Sequence, residues 1–246
     1  MALREEFSRT GSFLFRWRSY LPLFMIVLIL LAMPYFEYPG HSEKLDELWE
    51  IFCLIISLSG LGIRILTIGY TPKGTSGTNT KRQVADALNT TGMYSVTRNP
   101  LYLVNFTIWF GISMFFRLWW FTLIVIFIFW LYYERIIFAE EEFLREKFGE
   151  SYLCWAEKIP VFIPNFSKWE RPEMAFSFRK VLKNEYKSFF AIIVSYIVIE
   201  IIGDVFAEHK LELDTIWLVI LSVSSVFYAV VRILKKKTSL LDAKKR

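Results

Sequence analysis

Cysteine and histidine are nearly missing from this chain, with two of each in 246 residues. Cys53 lies in an apolar stretch and Cys154 in a polar one, so neither a disulfide framework nor a cysteine metal site is expected. His41 and His209 fall in two short segments that end up on the same side of the chain's organisation. Histidine metal ligation is therefore excluded, and so is a histidine base on the opposite side. No internal repeat or low-complexity linker is evident. The basic arm Arg4–Arg18 precedes an apolar run too long for a signal-peptide core, and no small-residue cleavage site follows it cleanly, which favours an uncleaved first helix. The sequons at Asn89, Asn105 and Asn165 fall in cytoplasmic loops or a span, so no glycan is expected on them.

What is present is apolar and aromatic. Hydrophobic residues make up 54%, aromatics 18% and charged residues 22%, with a mean hydropathy of +0.38. A disordered or collagen-like chain is ruled out. Six apolar stretches stand out: Leu21–Phe36, Trp49–Ile68, Leu101–Phe116, Trp119–Tyr133, Phe189–Ile202 and Thr215–Val231. A helix needs ~20 residues to cross ~30 Å of hydrocarbon, and these runs approach or reach that length. The expected fold class is an all-α integral membrane protein of about six transmembrane helices. The third and fourth spans are joined through Arg117-Leu118, a connection that forces an antiparallel hairpin.

The charges divide by side. Of the 29 basic residues, 25 fall in the N-terminal arm, the second and fourth loops and the C-terminal tail. Only Lys44, Arg117 and Lys210 lie in the alternate loops, and Arg64 lies inside a span. The positive-inside rule then places both termini in the cytoplasm. The net charge of +5 reflects topology and anionic lipid headgroups and does not call for a nucleic-acid partner. Trp17, Trp49, Trp119, Trp120 and Trp217 sit at span ends, as an aromatic belt requires.

Some polar residues are not required by topology. The second loop, rich in Gly, Ser and Thr, ends in Lys81-Arg82; it reads either as a solvated loop or as an anionic-headgroup surface. Further on, Tyr94, Arg98 and Tyr102 recur at four-residue spacing, with Pro100 suited to the first turn of the third span. The fourth span continues as one helix from Trp119 to Phe148, stopped by Gly149. On a helical wheel Ile136, Ile137, Phe143, Leu144 and Phe148 share a face, with Glu140 near its middle and Glu141 at its edge. Glu142 points the other way, toward Arg145, and Phe138 breaks the pattern. A carboxylate on an apolar face must be paired, protonated or bound to a cation. Glu140 is thus either a salt-bridge partner of Arg98 or another arginine, or a site for a cationic ligand.

Gly92, Tyr94, Arg98, Asn99, Pro100 and Tyr102, then Glu140, Glu141, Leu144, Phe148, Gly149 and Tyr152, then Ile159, Pro160 and Pro164 together resemble the isoprenylcysteine carboxyl methyltransferase and phospholipid methyltransferase superfamily. The order and spacing are preserved across residues 92–164. The resemblance implies a cytoplasmic cofactor site that takes S-adenosylmethionine, bound through Gly92, Tyr94, Arg98, Asn99, Pro100, Tyr102, Glu140 and Glu141. Arg98 and Glu141 are the catalytic candidates, and Lys81 and Arg82 are candidates for holding the acceptor. The family's usual histidine is Asn99 here, which cannot act as a base at neutral pH. An already ionised phosphate or prenylcysteine carboxylate needs no base, so O-methylation of an anionic lipid is the expected reaction. A related pattern occurs in membrane NADPH-dependent steroid or enone reductases, and Asn99 also admits a non-catalytic lipid-binding member of the fold. The domain reading is 1–91 for two spans and the polar loop, 92–164 for the methyltransferase core, and 165–246 for a basic interfacial segment and two more spans. The N-terminal segment and the second loop resemble the family's bacterial branch, some of which modifies lipid A phosphate; this resemblance implies a bacterial inner membrane in preference to the endoplasmic reticulum.

Overall fold

The computed structural model describes residues 2–35, 43–72, 83–207 and 215–241, which are all-helical with no strand among them. Lys81 and Arg82 lie outside the described residues. The helices are α1 (Leu3–Trp17), α2 (Leu21–Ala32), α3 (Glu43–Tyr70), α4 (Pro100–Phe115), α5 (Trp119–Phe148), α6 (Glu150–Ala156), α7 (Phe178–Ala207) and α8 (Thr215–Lys237).

Four of these, α3, α5, α7 and α8, are long and apolar enough to cross a membrane, which makes this an integral membrane protein. A fifth crossing exists if the α1–α2 pair, bent by 69°, is one broken span. The expected third span is α4, a 16-residue apolar helix only ~24 Å long at 1.5 Å per residue. The six expected stretches thus all become helices, but they differ in their capacity to span. The hairpin of α4 and α5 forms as the short connection requires, with Arg117 at φ 60° in the turn. At the other end α5 runs without a break to Phe148, where Gly149 takes a positive φ of 54° and stops it. α7 starts at Phe178, well ahead of the expected Phe189, so the basic stretch 178–187 forms the first turns of that helix.

Helix association in lipid depends on close packing and interhelical hydrogen bonds, because hydrocarbon offers no hydrophobic drive. The α3–α4 contact shows both. Gly111 leaves room for Ser57 and the Cys53 carbonyl of α3, and any Cβ there would collide with them. Ser57 Oγ donates to the Ile108 carbonyl at 3.0 Å and lies 2.8 Å from Tyr196 Oη of α7. Tyr196 Oη in turn donates to the Cys53 carbonyl at 2.7 Å. At the hairpin end, Arg117 Nη2 lies 3.6 Å from Glu50 Oε1, and Trp217 Nε1 donates to Glu50 Oε2 at 3.0 Å. Trp217 is therefore a buried hydrogen-bonding residue of the bundle, and not the belt residue that its position at a span end suggests.

Candidate functional site

The opposite end of the bundle, where α3 finishes and α4 begins, holds a cavity of about 640 Å³. It is built from the turn that precedes α4. Gly92 takes a φ of +63°, and its N–H donates to the Glu170 carbonyl at 3.0 Å. An L side chain in this left-handed region carries a steric cost that glycine avoids. A single 3-10 turn, Gly92–Ser95, follows, and the chain then runs as an irregular stretch into Pro100 at the first position of α4.

The stretch before α4 is held in place by the segment after α6. Arg98 N–H donates to the Pro160 carbonyl at 2.9 Å, and Asn165 N–H donates to the Val96 carbonyl at 2.9 Å. Thr97 Oγ1 donates to the Phe162 carbonyl at 3.0 Å, and Asn99 Nδ2 to the Val161 carbonyl at 3.1 Å. The proline-flanked strap 159–165 is thus a clasp that satisfies the backbone of an irregular stretch. Phe162 anchors it between Phe106 of α4 and Trp130 of α5, with ring centroids 5.7 Å away in each case.

Six of the expected site residues converge on the cavity: Tyr94, Arg98, Asn99, Pro100, Tyr102 and Glu140. Glu141 and Gly92 are not in its wall. Glu141 sits behind it, with Oε2 3.3 Å from Arg98 Nη1 and Oε1 accepting from Asn99 Nδ2 at 3.3 Å. Gly92 contributes the turn. The two acidic neighbours therefore have separate partners. Glu140 is paired 3.6 Å away with Arg18, with the Tyr102 hydroxyl facing it, and Arg98 belongs to Glu141. Two phenols at this end, Tyr94 and Tyr152, are held neutral. Burial, reinforced by the Glu140 charge, pushes Tyr94 well above its usual range. Burial and then the Glu141 charge do the same to Tyr152.

Several wall residues carry no motif in the sequence. Phe15 and Arg18 come from the end of α1, Arg64 from α3, Trp155 from α6, and Gln83 from the segment ahead of the Gly92 turn. Trp155 Nε1 and Gln83 Nε2 are buried donors without a hydrogen-bond partner among the described residues. Arg64 had a signal, since an ionisable residue inside an apolar span is functional by default. Arg18 had only the amphipathic pattern of α1. That helix lies against the far half of α5: Gly11 abuts the Arg135 carbonyl, Arg4 Nε donates to Glu142 Oε2 at 2.8 Å, and Tyr132 Oη donates to the Leu14 carbonyl at 3.0 Å. Phe138, the residue that breaks the wheel of α5, meets Phe7 of α1 edge-on with centroids 5.6 Å apart. The Glu142–Arg145 pairing expected on that side is present at 3.6 Å.

Comparison with known proteins agrees with the motif. Residues 52–151 match the phospholipid methyltransferase family, a stretch that runs from within α3 to the start of α6. Among curated proteins the chain is 29% identical over 162 residues to a nickel-cobalt-cadmium resistance protein of Alcaligenes xylosoxydans xylosoxydans, covering 65% of this chain and 70% of that protein. It is 29% identical over 143 residues to a cobalt-zinc-cadmium resistance protein of Cupriavidus metallidurans, covering 58% of this chain and 62% of that protein. No solved structure matches the chain.

Proposed function

We propose that this protein transfers a methyl group from S-adenosylmethionine to an anionic oxygen of a lipid, phosphate or carboxylate, at the cytoplasmic end of the bundle. The observation that carries this reading is the convergence of Tyr94, Arg98, Asn99, Pro100, Tyr102 and Glu140 on one cavity within a chain segment that matches phospholipid methyltransferases. The residues fit the cofactor's chemistry. The cavity's volume of about 640 Å³ lies within the ~300–1,000 Å³ typical of ligand sites. The Glu140 carboxylate suits an ammonium group, and the buried donors of Trp155 and Gln83 have no partner among the described residues. Bound there, S-adenosylmethionine supplies an electrophilic methyl on a cationic sulfur.

The chain's own residues then have three tasks. Glu140 orients the cationic end of the cofactor. Arg98, held by Glu141 at 3.3 Å and by its own backbone bond to the strap, steers the anionic acceptor. Burial in a low-dielectric pocket makes each of these charges count for more than it would in water. Asn99 acts as a brace, spending its amide on Glu141 and Val161. An ionised acceptor oxygen needs no proton removed, so the absence of the family's histidine does not disable the site. Placement close to the methyl in line with the leaving sulfur supplies the rest.

The relatives' names speak of metal resistance. For this chain we place such a role downstream of the lipid: a methylated phosphate loses one negative charge and binds divalent cations less well at the membrane surface. The test is calorimetric binding of S-adenosylmethionine to the detergent-purified protein, with labelled methyl transfer into a total lipid extract. Binding together with transfer that disappears in Arg98→Ala is the expected result. No binding by the wild type overturns the proposal.

A further inference from the structure

The two C-terminal helices lie beyond the stretch that matches the family, yet α7 reaches the site. Arg64 of α3 lines the main cavity, and its Nε lies 2.8 Å from Oε2 of Glu185 on α7. Glu185 is buried and faces a second cavity of about 300 Å³ between α3, α7 and α8. That second cavity is walled by Leu61, Ile65, Leu182, Phe189, Val223 and Phe227, with the small Ser224 at its side. One ion pair is therefore the common wall of a polar cavity and an apolar one.

We infer that α7 and α8 form the tail-binding site for an anionic lipid, with the chain in the α3–α7–α8 cleft and the charged head against Arg64 in the main cavity. This rests on the proposed reaction, whose acceptor it describes. The amphiphile matches the wall in order: apolar side chains, then the Arg64–Glu185 pair, then the cavity with Arg18 and Arg98. Glu185 is a positioning residue. Its carboxylate is the counter-charge beside the Arg64 guanidinium, which keeps that cation at the junction of the two cavities and offsets its cost inside an apolar span. A cleft with arginine at its polar mouth selects an anionic head over a zwitterionic one, because the second phosphocholine charge would sit unpaired beside the guanidinium.

The test uses the full chain in phosphatidylcholine nanodiscs doped with a phosphatidic acid that carries a diazirine in one acyl chain, without any methyl donor. Cross-links should concentrate on Leu61, Ile65, Leu182 and Phe227, and only weakly mark Leu218 and Val226, which are exposed on α8 outside the cleft. Unlabelled phosphatidic acid in excess should reduce the cleft signal at least fivefold, and added phosphatidylcholine should not. If an S-farnesyl cysteine competes better than phosphatidic acid, the cleft holds a carboxylate-headed acceptor. Ser224→Trp, which fills the cleft, should abolish the signal, with Val226→Trp as the matched control. Arg64→Gln should erase the preference for the anionic head, so that in this variant phosphatidylcholine then competes as well as phosphatidic acid. Labelling that follows simple lipid exposure, or equal competition by phosphatidylcholine, overturns the inference. A wild type that labels the cleft but binds no S-adenosylmethionine would instead overturn the proposed reaction alone.

Discussion

Glu140→Gln separates a binding carboxylate from a structural one. The Glu140 side chain is 26% exposed and its partner Arg18 13%. At 3.6 Å and an effective dielectric of about 20, their gross attraction is roughly 4–5 kcal/mol, most of it offset by the desolvation of two charges. Removing the charge therefore changes stability by only about 1 kcal/mol, the order of a lost hydrogen bond. For a bound ammonium the balance differs, because a hydrogen bond between charged groups contributes about 1.5–3 kcal/mol. Glu140→Gln should then weaken S-adenosylmethionine binding by roughly 10- to 150-fold, with 1.4 kcal/mol per factor of ten. Calorimetry in detergent reads this directly. Glu142→Gln, two residues on and turned toward Arg4 and Arg145, is the control and should stay within twofold of wild type. Arg18→Gln completes the comparison, since a purely structural Glu140 would make both members of the pair equally dispensable for binding. If Glu140→Gln binds the cofactor as tightly as Glu142→Gln, the carboxylate is only Arg18's partner and the reasoning is refuted.

Gly11→Leu should drive α1 off α5, because a side chain there meets the Arg135 carbonyl and Ala139; overpacking of this kind costs about 1–3 kcal/mol, and hydrogen exchange should rise along α1 together with a loss of cofactor affinity as Arg18 leaves the wall. Tyr196→Phe removes the hydroxyl shared by Ser57 and the Cys53 carbonyl and should destabilise the bundle by about 0.6–1.7 kcal/mol in a bicelle unfolding assay, with cofactor binding unchanged. The Tyr94 phenol, raised by burial and by Glu140, favours its neutral form in the fold. Its contribution is complete below the unfolded value of about 10 and is lost as pH rises beyond it. In an ultraviolet alkaline titration the Tyr94→Phe variant should lack a component that ionises after the exposed tyrosines; loss of a component at or below pH 10 would contradict the burial.

Much of the fold was legible because its signals are local. An apolar run of sufficient length becomes a helix in lipid wherever it occurs, since its backbone groups must bond within the segment. The stop at Gly149 and the hairpin through Arg117 need only neighbouring residues. Glu140 was marked by helical periodicity alone. The division of work between Glu140 and Glu141 was not legible. Each could reach an arginine, and only the arrival of α1 on one side and of the strap on the other assigns Arg18 to Glu140 and Arg98 to Glu141.

The chain's composition and spacing determined by themselves that this is a helical membrane protein, that its third and fourth apolar segments form a hairpin, and which acidic residue is out of place on an apolar face. Tertiary structure alone decided that Arg18, Arg64 and Trp155 join the cavity wall, that Gly92 shapes the site without entering it, and that Trp217 is a buried donor to Glu50. The physical reason is range. Periodicity and capping act within a few residues, whereas a charge is placed by whichever helix packs beside it, from 122 positions away for the Arg18 partner of Glu140 and 121 for the Glu185 partner of Arg64.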